Sequence, residues 1–158
     1  MLPQQTTSDL EYYKDGLKNS LVCVDGQDLR KTVATVLREL DYNVQVAPDA
    51  EDTYEKIKYN QYDCIVLNDS FSGGTGDNNE IVDYLQTMPI TSRRLFFIVL
   101  IGSNYKTMDN MAAFSKSVNL VVNEHDMTNF KTILKRAIGE NDLFYRTFKN
   151  VMVELGKA

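Results

Sequence analysis

Short runs of uninterrupted apolar residues, separated by longer stretches with helical spacing, are the feature that most constrains the fold of this chain. Three of these runs contain no polar residue, and they lie at positions 21–24, 64–67 and 95–101. A strand with one face in water alternates apolar and polar residues, whereas a strand that is buried on both faces is apolar throughout. The runs therefore predict central strands of a sheet that is covered on both faces.

The rest of the chain completes an alternating order of strands and helices. Residues 43–47 and 120–122 predict two further strands, and each strand is followed by apolar residues three or four positions apart. Asp28 precedes the first such stretch and is predicted to cap that helix. Together these elements indicate an α/β domain with a five-stranded parallel sheet, doubly wound, and an extended C-terminal helix from about residue 127 toward Leu155.

Charge and length restrict the function. A chain of 158 residues suits one domain, and a net charge of −5 disfavours binding to the phosphate backbone of nucleic acids. The longest apolar run is far shorter than the ~20 residues that a membrane span needs, and the first residues do not resemble a signal peptide. Cys23 and Cys64 lie in apolar runs, which predicts buried thiols. We expect a cytoplasmic protein that binds neither nucleic acid nor membrane.

Ligand sites in parallel sheets lie where the strands end in the carboxyl direction. Small, polar or acidic residues follow the apolar runs at that edge, namely Asp25, Gly26, Asn68, Asp69, Gly102, Ser103, Asn123 and Glu124. Any chemistry is expected among these side chains.

The ordered set of strands and turns resembles the receiver domain of bacterial response regulators, a flavodoxin-like fold. The resemblance covers residues 20–138 and rests on positions 21–25, 30–44, 62–68 and 120–124. It implies a signalling domain of a two-component system. Residues 1–19 are then an N-terminal segment with a short helix, and residues 139–158 extend the C-terminal helix.

Receiver domains transfer a phosphoryl group to an aspartate after the third strand, with an acidic pair for Mg²⁺, a hydroxyl and a lysine nearby. The resemblance places Asn68 at the acceptor position and Asn123 at the lysine position. Asp25 and the nearby Asp28 are what is left of the acidic pair, and Ser103 adjoins the hydroxyl position. An amide is not a carboxylate nucleophile. The resemblance therefore implies a degenerate receiver, or pseudo-receiver, that is not an enzyme and uses no cofactor.

Two alternatives stay open around this site. A shift of one residue would make Asp69 the acceptor, which describes an atypical receiver that takes phosphate. A flavodoxin-like small-molecule binder is disfavoured, because a Ser/Thr-Gly phosphate loop does not follow the first strand. No metal is expected: Mg²⁺ prefers hard oxygen ligands, and Asp25 alone, or with Asp69, supplies few of them. Asn68 and Asn123 are expected to share neutral hydrogen bonds.

The C-terminal helix carries an apolar stripe longer than a receiver domain needs. Its positions follow 4-3-4-3-4-3-4 spacing and are Phe130, Leu134, Ala137, Asn141, Phe144, Phe148, Val151 and Leu155. The domain itself ends near Ile138, so the last four of these residues need a cover. They are the predicted partner-binding residues.

Two covers for that stripe are open. One is a second copy of the chain, which makes a homodimer through the helix. The other is the N-terminal segment, in which Ser8 and Glu11 fit a capping box and Leu10, Tyr13 and Leu17 form a short stripe. The sequence thus predicts a phosphorylation-independent signalling or adaptor module whose partners are proteins.

Overall fold

The computed structural model describes residues 10–74, 79–89, 92 and 95–156. Within these ranges, five parallel strands form one sheet in the order β2-β1-β3-β4-β5. The strands are β1 (Lys18–Cys23), β2 (Tyr42–Val46), β3 (Cys64–Asn68), β4 (Phe97–Gly102) and β5 (Leu120–Asn123). This sheet confirms the predicted fold class.

The helices of the described ranges alternate with the strands as predicted. They are α1 (Gln27–Glu39), α2 (Ala50–Tyr59), α3 (Glu80–Gln86), α4 (Asn110–Lys116) and α5 (Phe130–Glu154), with 3-10 turns at Phe71–Gly73 and Glu124–Asn129. The predicted cap of α1 is wrong: Gly26, at φ 96°, precedes the helix, and Asp28 lies in its first turn. A positive φ suits glycine, and the carboxylate of Asp28 interacts favourably with the positive end of the helix dipole.

Each face of the sheet is covered by its own set of helices. Alternate residues of the strands, such as Val22 and Val66, form one core cluster with α1 and α5. The intervening residues, such as Leu21 and Ile65, form a second cluster with α2, α3 and α4. All six residues of β4 are buried. Burial on both faces explains why the central strands are continuous apolar runs.

Two predictions in the fourth strand and helix need correction. β4 begins at Phe97 rather than at Leu95, and the side chain of Leu95 is exposed. The helical spacing of Met108 and Met111 predicts that both are core residues, but Met111 is exposed, because Ala113 is the only residue that this short helix buries. Met108, by contrast, packs against the core.

The N-terminal segment differs from its prediction. Ser8 of the predicted capping box lies outside the described residues. The chain is not helical from Glu11 to Leu17, and Tyr12 pairs with Val44 of β2 in an antiparallel bridge of two hydrogen bonds, 3.0 and 2.7 Å. Leu10 is helical, but the predicted helix does not extend through Tyr13 and Leu17. The free edge of β2 offers unpaired backbone groups, and pairing with them replaces the local helical pattern.

Helix α5 is continuous through Gly139 and spans 25 residues. Phe130, Leu134 and Ala137 are buried against the sheet. Beyond them the stripe is exposed, with Phe144 at 64%, Phe148 at 45%, Val151 at 46% and Leu155 at 61%. In the part of the chain that the structure describes, no helix has both the length and the apolar character of a membrane span.

Candidate functional site

The carboxyl ends of the central strands bring the predicted polar residues to one edge of the sheet. The register places Asn68 beside Ile101, and Gly102 beside Asn123. Asp25 follows β1, which is the neighbour of β3 on the other side. The site therefore runs from Asp25 through Asn68 and Gly102 to Asn123.

The side-chain amide of Asn68, at the end of β3, forms hydrogen bonds with the backbone of Asp25, which lies just after β1. The backbone N–H of Asp25 donates to Oδ1 of Asn68 at 3.0 Å, and Nδ2 of Asn68 donates to the carbonyl of Asp25 at 3.1 Å. A further contact joins Nδ2 to the hydroxyl of Ser70 at 3.3 Å. The side chain of Asn68 is buried, at 6% exposure. The amide acts like one more peptide group of the sheet, because one end accepts and the other donates.

Asn79, which is not among the predicted site residues, holds the backbone that follows Asn68 in place. Its Nδ2 donates to the carbonyls of Asn68 and Asp69, both at 3.2 Å. Its Oδ1 accepts from the backbone N–H groups of Ile81 and Val82, and it therefore caps α3. Asn79 is buried. The signal that could have found it is an asparagine directly before the apolar spacing of a helix.

Asp69 turns to the other side of the site and is partly exposed. Its carboxylate lies against Gly102, where an added Cβ would stand 2.5 Å from Oδ2 of Asp69 and 2.5 Å from the ring of Tyr105. Burial raises the pKa of Asp69, and the negative charge of Glu124 raises it further. Glycine at 102 is therefore required by this close approach of Asp69 and Tyr105.

Asn123 stabilises the loop between β4 and α4. Its Nδ2 donates to the carbonyls of Tyr105 at 2.7 Å and Ser103 at 3.4 Å, and its Oδ1 accepts from the N–H of His125 at 2.9 Å. Its own N–H donates to the hydroxyl of Thr107 at 2.9 Å. The prediction that Asn68 and Asn123 share hydrogen bonds is wrong, because each amide binds backbone groups in its own neighbourhood. Ser103 is exposed, and it contributes its carbonyl to this loop.

The acidic residues around Asp25 do not gather at one point. Oδ1 of Asp25 accepts from the N–H of Ser72 at 3.4 Å, whereas Asp28 is exposed on the first turn of α1. A cation that the sequence reading missed, the guanidinium of Arg30, donates to the carbonyl of Val24 at 3.2 and 3.1 Å. Among the described residues, no group of three or more His, Cys, Asp or Glu side chains is arranged to hold a metal ion.

Millimolar Mg²⁺ is expected to leave the melting temperature of the protein unchanged. The two carboxylates next to Asn68 are Asp25, which faces the N–H of Ser72, and Asp69, which faces Gly102. A bound ion would stabilise the folded state in proportion to its occupancy. Thermal melts across a Mg²⁺ titration measure this, with Asp25→Ala as the matched control. A saturable rise that disappears in Asp25→Ala would contradict the prediction.

Comparison with known proteins identifies solved structures of similar fold. No family model and no curated protein matches this chain. Solved structures do match it, and those described below have a similar fold but a low sequence identity to this chain. The chemotaxis response regulator CheY4 of Vibrio cholerae is 16% identical, with a TM-score of 0.57 over 77% of this chain and 98% of that chain. The receiver domain of the sensor histidine kinase PA1611 from Pseudomonas aeruginosa PAO1, solved with a magnesium ion in its active-site cleft, is 18% identical, with a TM-score of 0.59 over 78% and 99%.

A third neighbour extends further along the chain. NtrX from Brucella abortus, solved in complex with ADP, is 17% identical, with a TM-score of 0.66. The match covers 90% of this chain and 30% of that chain. At such identities the likeness establishes the fold. The chain has the fold of response-regulator receiver domains.

Proposed function

We propose that this chain is a receiver-type signalling module that binds protein partners and is not itself phosphorylated. The observation that carries the proposal is the reciprocal pair of hydrogen bonds between Asn68 and the backbone of Asp25. Counted along the resemblance to receiver domains, Asn68 takes the place of the phosphate-accepting aspartate. Its amide lacks the nucleophilic oxygen that forms an acyl phosphate.

The surroundings of Asn68 favour an amide over a carboxylate. The carbonyl of Asp25 needs a donor, which an ionised carboxylate does not have. A carboxylate at position 68 would also be buried beside the partly buried acid of Asp69. Such a carboxylate would need a cation, but position 123 is an asparagine and the described residues contain no cluster of acids that could hold Mg²⁺. Asparagine in place of the acceptor aspartate at position 68 is thus consistent with asparagine in place of the lysine at position 123.

Exposed apolar side chains support a role in protein binding. Met111 and Phe114 on α4 are 76% and 81% exposed, and the stripe of α5 is exposed from Phe144 onward. Exposed apolar groups that lie together mark interaction sites more often than isolated ones do. We therefore place partner binding on α4, β5 and α5, and we assign no catalytic step to the chain.

Incubation with acetyl phosphate and Mg²⁺ is expected to leave the intact mass of the protein unchanged. The reason is that Asn68 cannot form the acyl phosphate, and that Asn123 has no positive charge and already donates its amide to the carbonyls of Ser103 and Tyr105. Intact-mass spectrometry under non-hydrolysing conditions measures the result. A receiver domain that is known to accept phosphate from the same donor provides the positive control.

The alternative acceptor, Asp69, is tested in the same experiment. Asp69 directly follows Asn68 and is partly exposed, so a phosphodonor could reach its carboxylate. A gain of one phosphoryl group in the wild type that is absent in Asp69→Asn would identify an atypical receiver. That outcome would overturn the proposal of phosphorylation independence, as would a stable adduct on any other aspartate.

A further inference from the structure

We infer that a cavity at the amino ends of β1 and β2, at the edge of the sheet opposite to Asn68, binds a small neutral saccharide. Its volume is about 390 Å³, which is within the range of small-molecule sites. The lining of this amino-end cavity includes Tyr13, Asn19, Gln45 and Tyr62. The inference goes beyond the proposed function, because it assigns a ligand to a second site, and it does not depend on whether the domain is phosphorylated.

The side-chain amide of Asn19 offers the cavity a hydrogen-bond donor. Nδ2 of Asn43 donates to Oδ1 of Asn19 at 2.9 Å. Asn43 is buried, and its own Oδ1 accepts from the backbone N–H of Lys14 at 2.6 Å, which fixes its orientation. Because Oδ1 of Asn19 is bound, the group that remains is Nδ2, which only donates. Among the described residues, Nδ2 of Asn19 has no hydrogen-bond partner.

Gln45 offers a second donor in the same way. The hydroxyl of Tyr62 donates to Oε1 of Gln45, and this leaves Nε2 of Gln45 for a ligand. Tyr62 is buried, and burial raises its pKa, so the hydroxyl keeps its proton. Two NH₂ groups are thus set in place by buried neighbours before any ligand arrives. Such preorganisation lowers the entropic cost of binding.

The charges around the cavity select a neutral ligand. The described residues that line it include no Lys, Arg or His, and they include the carboxylate of Glu11. A second carboxylate, that of Asp63, accepts from the backbone N–H of Asn19 at 2.8 Å. These charges would repel an anion. A purely apolar ligand would leave the two amide donors without partners, which is costly. A neutral ligand with several oxygen atoms remains.

The rim of the cavity favours a saccharide among such ligands. Tyr13 is 72% exposed, and its hydroxyl donates to Oδ1 of Asp15 at 2.9 Å, which holds the ring in place. An aromatic ring beside amide groups suits a molecule that has an apolar face and a polar edge. A sugar ring has C–H groups for the tyrosine and hydroxyls for the amides. Those hydroxyls both accept and donate, so they also suit the carboxylate of Glu11.

The described part of the N-terminal segment leaves the cavity open. Tyr12 pairs with Val44, and its ring lies 4.5 Å from the guanidinium carbon of Arg38 on α1. Leu10 and Tyr12 pack against the core cluster of α1 and α5, which lies on one face of the sheet. Side chains alternate along an extended segment, so Tyr13 lies on the other face, where it lines the cavity.

Heteronuclear NMR of the full, isotope-labelled chain tests the inference. The probes are glucose, galactose, N-acetylglucosamine and maltose, each added up to tens of millimolar. At least one of them is expected to shift the side-chain NH₂ signals of Asn19 and Gln45 in a saturable way, while the signals of Asn68 stay unchanged. Glucuronate and adenosine are the comparison ligands. Both are expected to bind more weakly than the best neutral sugar, because one is an anion and the other a flat base.

Gln45→Glu is the variant that tests the predicted donor. It keeps the oxygen that accepts from Tyr62 but replaces the NH₂ group with a charged oxygen, so sugar binding is expected to weaken roughly tenfold or more. The matched control is Gln27→Glu, which adds the same charge at an exposed position at the start of α1 and is expected to bind normally. Tyr13→Ala is expected to weaken binding roughly 3- to 10-fold.

Several results would overturn the inference. These are a wild type that gives no saturable shift with any of the four neutral sugars, shifts that lie around Asn68 instead, and glucuronate or adenosine binding as tightly as the best neutral sugar. Equal losses in Gln45→Glu and Gln27→Glu would do the same. Thermal melts establish that the variants are folded. If Gln45→Glu is not, the exposed position of Tyr13→Ala takes over the test, and unchanged sugar binding in that variant would contradict the inference.

Discussion

Replacing Asn68 with aspartate is expected to lower the free energy of unfolding by about 2–4 kcal/mol at pH 7, or roughly 4–16 °C in melting temperature. The substitution removes the donor that satisfies the carbonyl of Asp25 and sets a negative oxygen against that carbonyl. The position is nearly inaccessible to water, so solvent cannot take over the lost hydrogen bond. Urea denaturation measures the change.

The loss of stability that Asn68→Asp causes is expected to depend on pH. Burial and the facing carbonyl would raise the pKa of the new carboxyl in the folded state above its unfolded value of about 3.9. The protonated acid can donate to the carbonyl of Asp25, so stability approaches that of the wild type below that unfolded pKa. It falls as pH rises through the folded pKa and then levels off. The quantity to plot is the difference in free energy of unfolding between variant and wild type, because Asp69 titrates in both.

Asn68→Ala is the matched control for this pH dependence. It removes both hydrogen bonds with Asp25 but adds no ionisable group, so its deficit should be constant across the same pH range. If Asn68→Asp were as stable as the wild type at pH 7, or regained stability on addition of Mg²⁺, the site would hold a compensating cation. The proposal that the hydrogen bonds of the Asn68 amide are satisfied within the protein, without a cation, would then be wrong.

Replacing Asn79 with alanine is expected to lower the free energy of unfolding by at least about 3 kcal/mol. One side chain makes four contacts: it donates to two carbonyls and accepts from two N–H groups at the start of α3. Loss of a helix cap costs about 1 kcal/mol, and each buried carbonyl left without a donor adds roughly 1–3 kcal/mol. The midpoint of urea denaturation should fall accordingly, with the slope unchanged.

Asp49→Ala provides the comparison for Asn79→Ala. Asp49 caps α2 through one hydrogen bond to the N–H of Asp52, at 2.8 Å, and it is exposed. Its removal tests capping alone, and about 1 kcal/mol is expected. Equal effects of the two substitutions would mean that Asn79 acts only as a cap, and that its bonds to the carbonyls of Asn68 and Asp69 contribute nothing measurable.

The order of elements was predictable because it rests on burial. Strands such as β3 and β4 are apolar on both faces, which admits few structures other than a covered parallel sheet. The ends of the elements were harder, because they depend on backbone pairing. β1 begins at Lys18, three residues before its apolar run, because Lys18 pairs with Tyr42 of β2. Hydrophobicity does not record such pairing.

The candidate site was predicted in position but not in contacts. Its residues follow from the rule that ligand sites lie at the carboxyl ends of strands. Which group each amide would bind could not be derived, since the partners of Asn68 and Asn123 are mainly backbone groups whose positions depend on the folded chain. Asn79 is distant in sequence from the strand ends, and it reaches them only because the chain after β3 returns to the same edge.

The bridge between Tyr12 and Val44 has a consequence for aggregation. β2 is the outermost strand on its side of the sheet, and an unguarded outer strand is a template for intermolecular pairing and fibril growth. The bridge uses both backbone hydrogen-bonding groups of Val44, so an incoming strand finds the middle of this edge already paired. Residues that precede the receiver-like domain thus act as its gatekeeper against misassembly, independently of any role in signalling.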